Sequence, residues 1–254
     1  MTIAISPMIS FFPLFFLYGG FFFYFNKDLI TVNRYNYGAW ILMGIIFFQF
    51  CNRMLIRYEN VFVREKYWHT IEFTLLAPIN RYSVLFGFVI QNILEQTAIS
   101  IILAIVAFLY SPTLIPNIFL IFIVLAFFSS GVAGLGILRG VIALSNENFM
   151  SLFGLLSFVF LFLSSYSIPI ELFPLPIAMV IRINPLYMEL ALIRNIWFYP
   201  LTWFSDIFVN SLTLNFFGIN FFDIIYIVCF NLIAIVLGMY FFDRIWERFG
   251  IHGF

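Results

Sequence analysis

The residues able to do chemistry are few, and their spacing excludes most of it. The chain has two histidines, His69 and His252, and two cysteines, Cys51 and Cys229. They form no His-Glu-x-x-His helix and no Cys/His cluster that would gather a metal ion. Both cysteines lie in or beside apolar stretches and read as packed thiols rather than a disulfide. Glu65, His69 and Glu72 are near one another, but an amphipathic surface helix is a poor place for an acid–base pocket. No Gly-x-x-x-x-Gly-Lys-Ser/Thr loop is present to cradle phosphates, and Lys27 and Lys66 both lie outside any glycine-rich loop. No catalysis, resident cofactor or metal is expected of this chain. Gln91, Asn92, Glu95 and Gln96 offer something else, because they interrupt an apolar stretch near its middle. An ionisable group at membrane depth is costly and is a functional candidate by default. Gln91 and Glu95 are four apart and share a helix face. Together with Asn231, in the last apolar stretch, they fit a polar patch on a translocation path. The alternative is that Glu95 is neutral or hydrogen-bonded to a neighbouring helix and serves packing. Arg139 is expected to snorkel to the headgroups.

Charge is concentrated in one polar island. Cys51–Tyr82 reads CNRMLIRYENVFVREKYWHTIEFTLLAPINRY and holds five of the twelve basic residues, Arg53, Arg57, Arg64, Lys66 and Arg81. A membrane protein that gathers its charge in one loop shows that loop to a partner. Val63–Tyr67 is polar, and Trp68–Ile79 turns amphipathic before Pro78. Thr70 would cap a short helix, with Glu72 in its first turn where a carboxylate favours the dipole. Ile71, Leu75 and Leu76 follow at helical spacing, so the helix lies in or just below the inner interface and bears Tyr67 and Trp68. An ordinary inner loop with positive-inside charge gives the same pattern.

The elements that must position these residues are membrane helices. With 64% hydrophobic and 9% charged residues, the chain cannot be a soluble domain, where about a quarter of residues are charged. Its net charge of zero and lack of a basic stripe give no reason to expect nucleic acid. The 38 phenylalanines fit lipid-facing surface and interfacial belts, or a codon bias. Six stretches meet or approach the roughly 20 apolar residues a crossing needs: Ile3–Phe25, Asn36–Ile56, Val84–Tyr110, Asn117–Leu144, Phe149–Tyr166 and Phe221–Phe242. The first lacks the basic flank of a secretory signal and reads as a retained span; its shortness fits a longer natural N-terminus. Gly131, Gly134, Gly136 and Gly140 in the fourth either let neighbours approach closely or mark a break. With both termini inside, the inner face holds Arg53, Arg57, Arg64, Lys66, Arg81, Arg139, Arg244 and Arg248, and the outer face Lys27, Arg34, Arg182 and Arg194. That bias favours cytoplasmic termini in a cell membrane. Between the fifth and sixth stretches, Ser167–Asn220 is apolar but broken by Pro169, Pro174, Pro176, Pro185 and Pro200. Two short helices, Ile177–Ile183 and Leu186–Phe198, are expected to hinge at Asn184-Pro185. A re-entrant or interfacial hairpin on the outer face follows, since non-helical backbone at membrane depth must be covered. A loop lying on the headgroups is the alternative.

The segment Arg64-Glu65-Lys66-Tyr67-Trp68-His69-Thr70-Ile71-Glu72-Phe73-Thr74-Leu75-Leu76-Ala77-Pro78-Ile79, followed by Gly87, resembles a signature of ABC-type export permeases of the type 2 membrane-domain family. Its members read Arg-Glu, then Gly-Thr-Leu-Glu, then Leu-Leu and a small residue before Pro-Ile. A second match lies at Ile168–Glu171, Phe173-Pro174, Pro176, Asn184-Pro185-Leu186-Tyr187 and Leu192-Ile193-Arg194, similar to that family's outer re-entrant region. Departures are His69 in place of glycine, a longer outer loop at Leu201–Asn220, and little sequence before the first span. The resemblance implies an all-α permease domain of six spans, with a coupling helix over about 64–79 and an outer hairpin over about 167–200. It implies contact with a separate ATP-binding subunit, in two copies, through Glu65, Tyr67, Trp68, His69, Thr70, Ile71, Glu72, Leu75, Leu76 and Pro78. ATP and Mg would be bound by that partner. A second permease copy, identical or a sister, would complete the pathway, and Pro169, Glu171, Pro174, Asn184 and Pro185 would build the hairpin. An ion-coupled transporter using Glu95, and a scaffold that only docks a partner, are the alternatives from other classes.

Overall fold

Between Gly44 and Pro78 there is neither glycine nor proline, so nothing local stops a helix where its apolar stretch ends. In the computed structural model, which describes residues 13, 16–17, 36–68, 80–145, 148–205, 207 and 219–252, helix α1 accordingly runs from Tyr37 to Tyr67. The polar island is therefore not a loop over its first half. Residues 51–67 continue the helix that the expected span Asn36–Ile56 begins, and the first four residues of the expected coupling helix, 64–67, belong to α1. Met54, Tyr58, Val61 and Phe62 are buried while Arg53, Asn60 and Arg64 are exposed. A buried stripe at helical spacing carries α1 onward after its overall hydropathy falls.

Further long or well-bounded helices among the described residues are α2, Arg81–Tyr110; α3, Ile115–Ser145; α4, Asn148–Phe162; α5, Leu175–Ile183; α6, Pro185–Phe198; and α7, Phe221–His252. A 3-10 turn, Ile170–Leu172, precedes α5. No strand occurs among the described residues. Among the described residues, four helices are long and apolar enough to cross a membrane, through Tyr37–Arg64, Tyr82–Tyr110, Ile115–Ala143 and Phe221–Arg244. The pair α5 and α6, bent by 83° at its break, makes a fifth if counted as one span. This is the make-up of an all-α, multi-pass membrane protein. The expected first span, Ile3–Phe25, lies outside the described residues except at 13, 16 and 17. The expected fifth, Phe149–Tyr166, is shorter than anticipated: α4 has 15 residues, about 22 Å of helix, against the roughly 30 Å of a hydrocarbon core. It stops because Ser165 takes the left-handed conformation (φ 57°) and its hydroxyl donates to the Ile168 carbonyl at 2.5 Å. The last helix extends ten residues beyond the expected end at Phe242.

The chain divides into two compact units. Unit 1 comprises residues 1–49, 96–125 and 160–228, and unit 2 comprises 50–95, 126–159 and 229–254. In unit 1, α6 is the core helix, with eleven of its fourteen residues buried. The Trp197 indole donates to the Ser111 carbonyl at 3.1 Å, and the Asn117 amide donates to the carbonyls of Ile196 and Pro200, both at 3.1 Å. These contacts fasten the C-terminal end of α6 to the turn between α2 and α3. In unit 2 the glycines of α3 act through close approach, and α3 is continuous rather than split. A Cβ on Gly136 would meet the Met54 carbonyl at 2.5 Å, and one on Gly140 the Phe62 ring at 2.7 Å. Gly134 abuts the backbone of Ala234 and Gly238, and Gly131 takes the Asn231 side chain. So α3 packs nearly backbone to backbone on α1 and α7.

Candidate functional site

The bent pair in unit 1 is built from helix-end chemistry. Pro174 precedes α5 at its N-cap with extended backbone (φ −56°, ψ 145°), and Pro169 precedes the 3-10 turn in the same way, with Glu171 inside the turn. Asn184 closes α5 and opens α6, with Pro185 at the first helical position. The Asn184 side-chain oxygen accepts from the Leu186 N–H at 3.0 Å, and its amide donates to the Phe160 carbonyl at 2.8 Å. One residue thus caps α6 and ties the hinge to the end of α4. The expected helices Ile177–Ile183 and Leu186–Phe198 begin two residues and one residue earlier than anticipated. All five residues expected to build the hairpin stand at the ends or turns of these elements.

Two charged contacts hold that arrangement. Arg182 donates to Asp223 at 2.7 Å, and the Tyr226 hydroxyl donates to the Ile183 carbonyl at 3.1 Å, joining the end of α5 to the start of α7. Arg194, buried in α6, donates to the carbonyls of Ser165, Tyr166 and Trp40 at 3.2, 3.0 and 3.4 Å. Its guanidinium lies 3.5 Å above the centre of the Trp40 ring. Gly44 leaves the room, since a Cβ there would meet the Tyr166 carbonyl and the Arg194 guanidinium. The planar guanidinium satisfies carbonyls that the break after α4 leaves without helical donors. Sequence reasoning gave Arg194 only a place on the outer face and in a resemblance. The one signal it left was an arginine in an apolar helix.

Unit 2 holds the other polar groups. The Gln91 amide donates to Glu95 at 2.7 Å, and Arg57 approaches the second carboxylate oxygen of Glu95 at 3.6 Å. The Arg57 and Glu95 side chains are 28% and 44% exposed, so the pair faces outward from the unit. Asn231 is not on that face: it is fully buried against Gly131 at the crossing of α3 and α7. Asn92 is buried too, as is Gln96 at the start of the part of α2 that belongs to unit 1. Arg139 does not snorkel. It forms an ion pair with the buried Glu59 carboxylate on α1 and donates to the Ser157 hydroxyl at 3.0 Å. Glu59 and Ser157 were missed by sequence reasoning, since nothing local pairs residues on three helices. The Tyr82 hydroxyl donates to Asp243 at 2.7 Å, and the Tyr58 hydroxyl to the Leu85 carbonyl at 3.0 Å.

Of the residues expected to meet an ATP-binding subunit, Glu65 lies on α1, and Tyr67 and Trp68 end it, both strongly exposed. The Arg64 guanidinium is 5.4 Å from the Trp68 ring centre. His69, Thr70, Ile71, Glu72, Leu75, Leu76 and Pro78 lie outside the described residues. Among the described residues no three His, Cys, Asp or Glu side chains are grouped to hold a metal ion. No protein-family model matches the chain, and no curated protein matches it in sequence.

Proposed function

We propose that this protein is the membrane-spanning permease subunit of an ATP-driven ABC exporter. Two sequence segments support the reading by resemblance, and one structural observation carries it furthest. That observation is the apolar segment between α4 and α7, which folds as two helices meeting at 83° rather than as a loop or a straight span. The hinge is Asn184-Pro185, in the segment where the resemblance calls for an outer hairpin. With a first span before Asn36 and α4 as a short fifth, the domain would have six spans, sit in a cell membrane with both termini cytoplasmic, and pair with a second copy or a sister permease. Two ATP-binding subunits would bind ATP and Mg, and this chain would contribute no catalytic group.

The mechanism is mechanical. Closure of the ATP-binding subunits pushes on the segment around 64–79. Tyr67, Trp68, Ile71, Leu75 and Leu76 seat it, and Glu65 and Glu72 set its register by charge. Because α1 is one helix from Tyr37 to Tyr67, a push at its cytoplasmic end moves the whole rod. In the assembled transporter with its ATP-binding subunits, Leu75→Asp is expected to abolish substrate-stimulated ATP hydrolysis and transport while leaving the fold intact by circular dichroism. Stimulation equal to wild type in that variant contradicts the reading.

A second reading rests on the outward-facing Arg57–Glu95–Gln91 group, which suits an ion-coupled transporter in which Glu95 carries a proton. Flux that collapses with an uncoupler and ignores ATP depletion would favour it.

A further inference from the structure

Arg53, Arg57, Asn60, Arg64 and the pair Tyr67 and Trp68 follow one another at intervals of three or four residues along α1. They form one face of the helix. Arg53, Asn60, Arg64, Tyr67 and Trp68 are exposed, and Arg57 is partly so. The opposite face is buried. This contrasts with the rest of the helix, the most enclosed of the four long ones: 72% of its apolar window is buried, against 28% in α2 and 22% in α7. Among the described side chains near this face the carboxylates are already engaged. Glu59 is buried with Arg139, Glu95 takes Arg57 and Gln91, and Asp243 takes Tyr82. Arg53 and Arg64 leave the face a positive surplus.

Helical rise gives its depth. Arg53 lies about 24 Å along the axis from Tyr37, Arg57 about 30 Å and Arg64 about 40 Å. A bilayer is about 30 Å of hydrocarbon within about 40–45 Å overall. The stripe therefore starts inside the acyl layer and ends among the headgroups, with Tyr67 and Trp68 where an aromatic belt belongs. A soluble partner reaches the Arg64 end but not Arg53. A lipid reaches both, with its phosphate between the arginines.

We propose that this face binds an anionic phospholipid, its phosphate taken between Arg64 and Arg53. Guanidinium forks suit phosphate oxygens, and the surplus charge selects an anionic headgroup over a zwitterionic one. The proposal rests on membrane insertion alone and is independent of what the protein transports.

The test uses the full chain in vesicles of phosphatidylcholine containing phosphatidylglycerol. Spin-labelled versions of each lipid report the relative association with the protein. Wild type is expected to prefer phosphatidylglycerol about tenfold, since each surface arginine is worth several-fold on an anionic lipid. R53Q/R64Q should reduce the preference to near unity, the single variants R53Q and R64Q should each lose part of it, and R244Q, on α7, should leave it unchanged. Equal association of both lipids with wild type, an undiminished preference in R53Q/R64Q, or an equal loss in R244Q would overturn the proposal. So would a double variant that keeps its lipid preference but loses a protein partner, which would make the face a protein-docking surface.

Discussion

Arg194 concentrates several interactions in unit 1. It meets three carbonyls and an aromatic face. A lysine would keep the charge but not the planar fork, so Arg194→Lys is expected to lower stability by about 2–4 kcal/mol. Thermal unfolding of the detergent-purified protein measures it, and a shift below about 0.5 kcal/mol would contradict the assigned role. The buried Glu59–Arg139 pair makes a second test. Glu59→Ala should cost about 3–5 kcal/mol by leaving Arg139 buried without its partner, while E59M/R139M should recover most of that loss. A double variant no better than the single would remove the coupling. At this scale the sequence was legible where backbone chemistry is local. Asn184 and Pro185 announced a helix junction because their own side chains make it. The partners of Arg194 were not legible, since Trp40 and Ser165 meet it only through the tertiary fold. Asn231 misled for the same reason: a polar residue in an apolar helix signals a path or a packing notch equally well, and the glycine opposite it decides.

Helices form and end for reasons the sequence carries unevenly. The glycines of α3 were visible but ambiguous between a break and a close approach, and the structure resolves them as close approach. Gly134→Val should drive apart the α3–α7 crossing, since its Cβ has no space beside Ala234, and yield a protein rapidly cut by protease in detergent. Gly87 is the contrast: nothing lies within 4 Å of a Cβ placed there. Gly87→Ala should stabilise α2 by up to about 1 kcal/mol through helix propensity alone. Equal protease resistance in both variants would contradict the packing account. The length of α1 was hidden by a membrane criterion that stops at the first cluster of arginines, although Met54, Tyr58, Val61 and Phe62 continued the stripe. The early end of α4 was hidden because Ser165 and its neighbours are compatible with a helix until Arg194 claims their carbonyls.

At the scale of the whole molecule, charge is unevenly divided along the chain. The segments of unit 2 carry eight of the twelve basic residues and those of unit 1 the other four, Lys27, Arg34, Arg182 and Arg194. The proposed topology puts Arg64 inside and the segment after α6 outside. In intact cells a cysteine at Leu201, which is 84% exposed, should react with an impermeant maleimide, whereas one at Arg64 should react only after the membrane is opened. The reverse pattern would invert the topology. The all-helical, multi-pass character was legible from composition, because a bilayer demands long apolar helices whatever their packing. Which residues meet inside was not, because lipid-facing and buried positions are equally apolar. The reading as an exporter permease reduces to a question of company. The protein should be extracted gently from its native membrane and its associated proteins identified. The account predicts an ATP-binding-cassette subunit in the complex, lost on Glu72→Lys. A chain that purifies alone and carries proton-dependent flux would contradict it and put Glu95 at the centre.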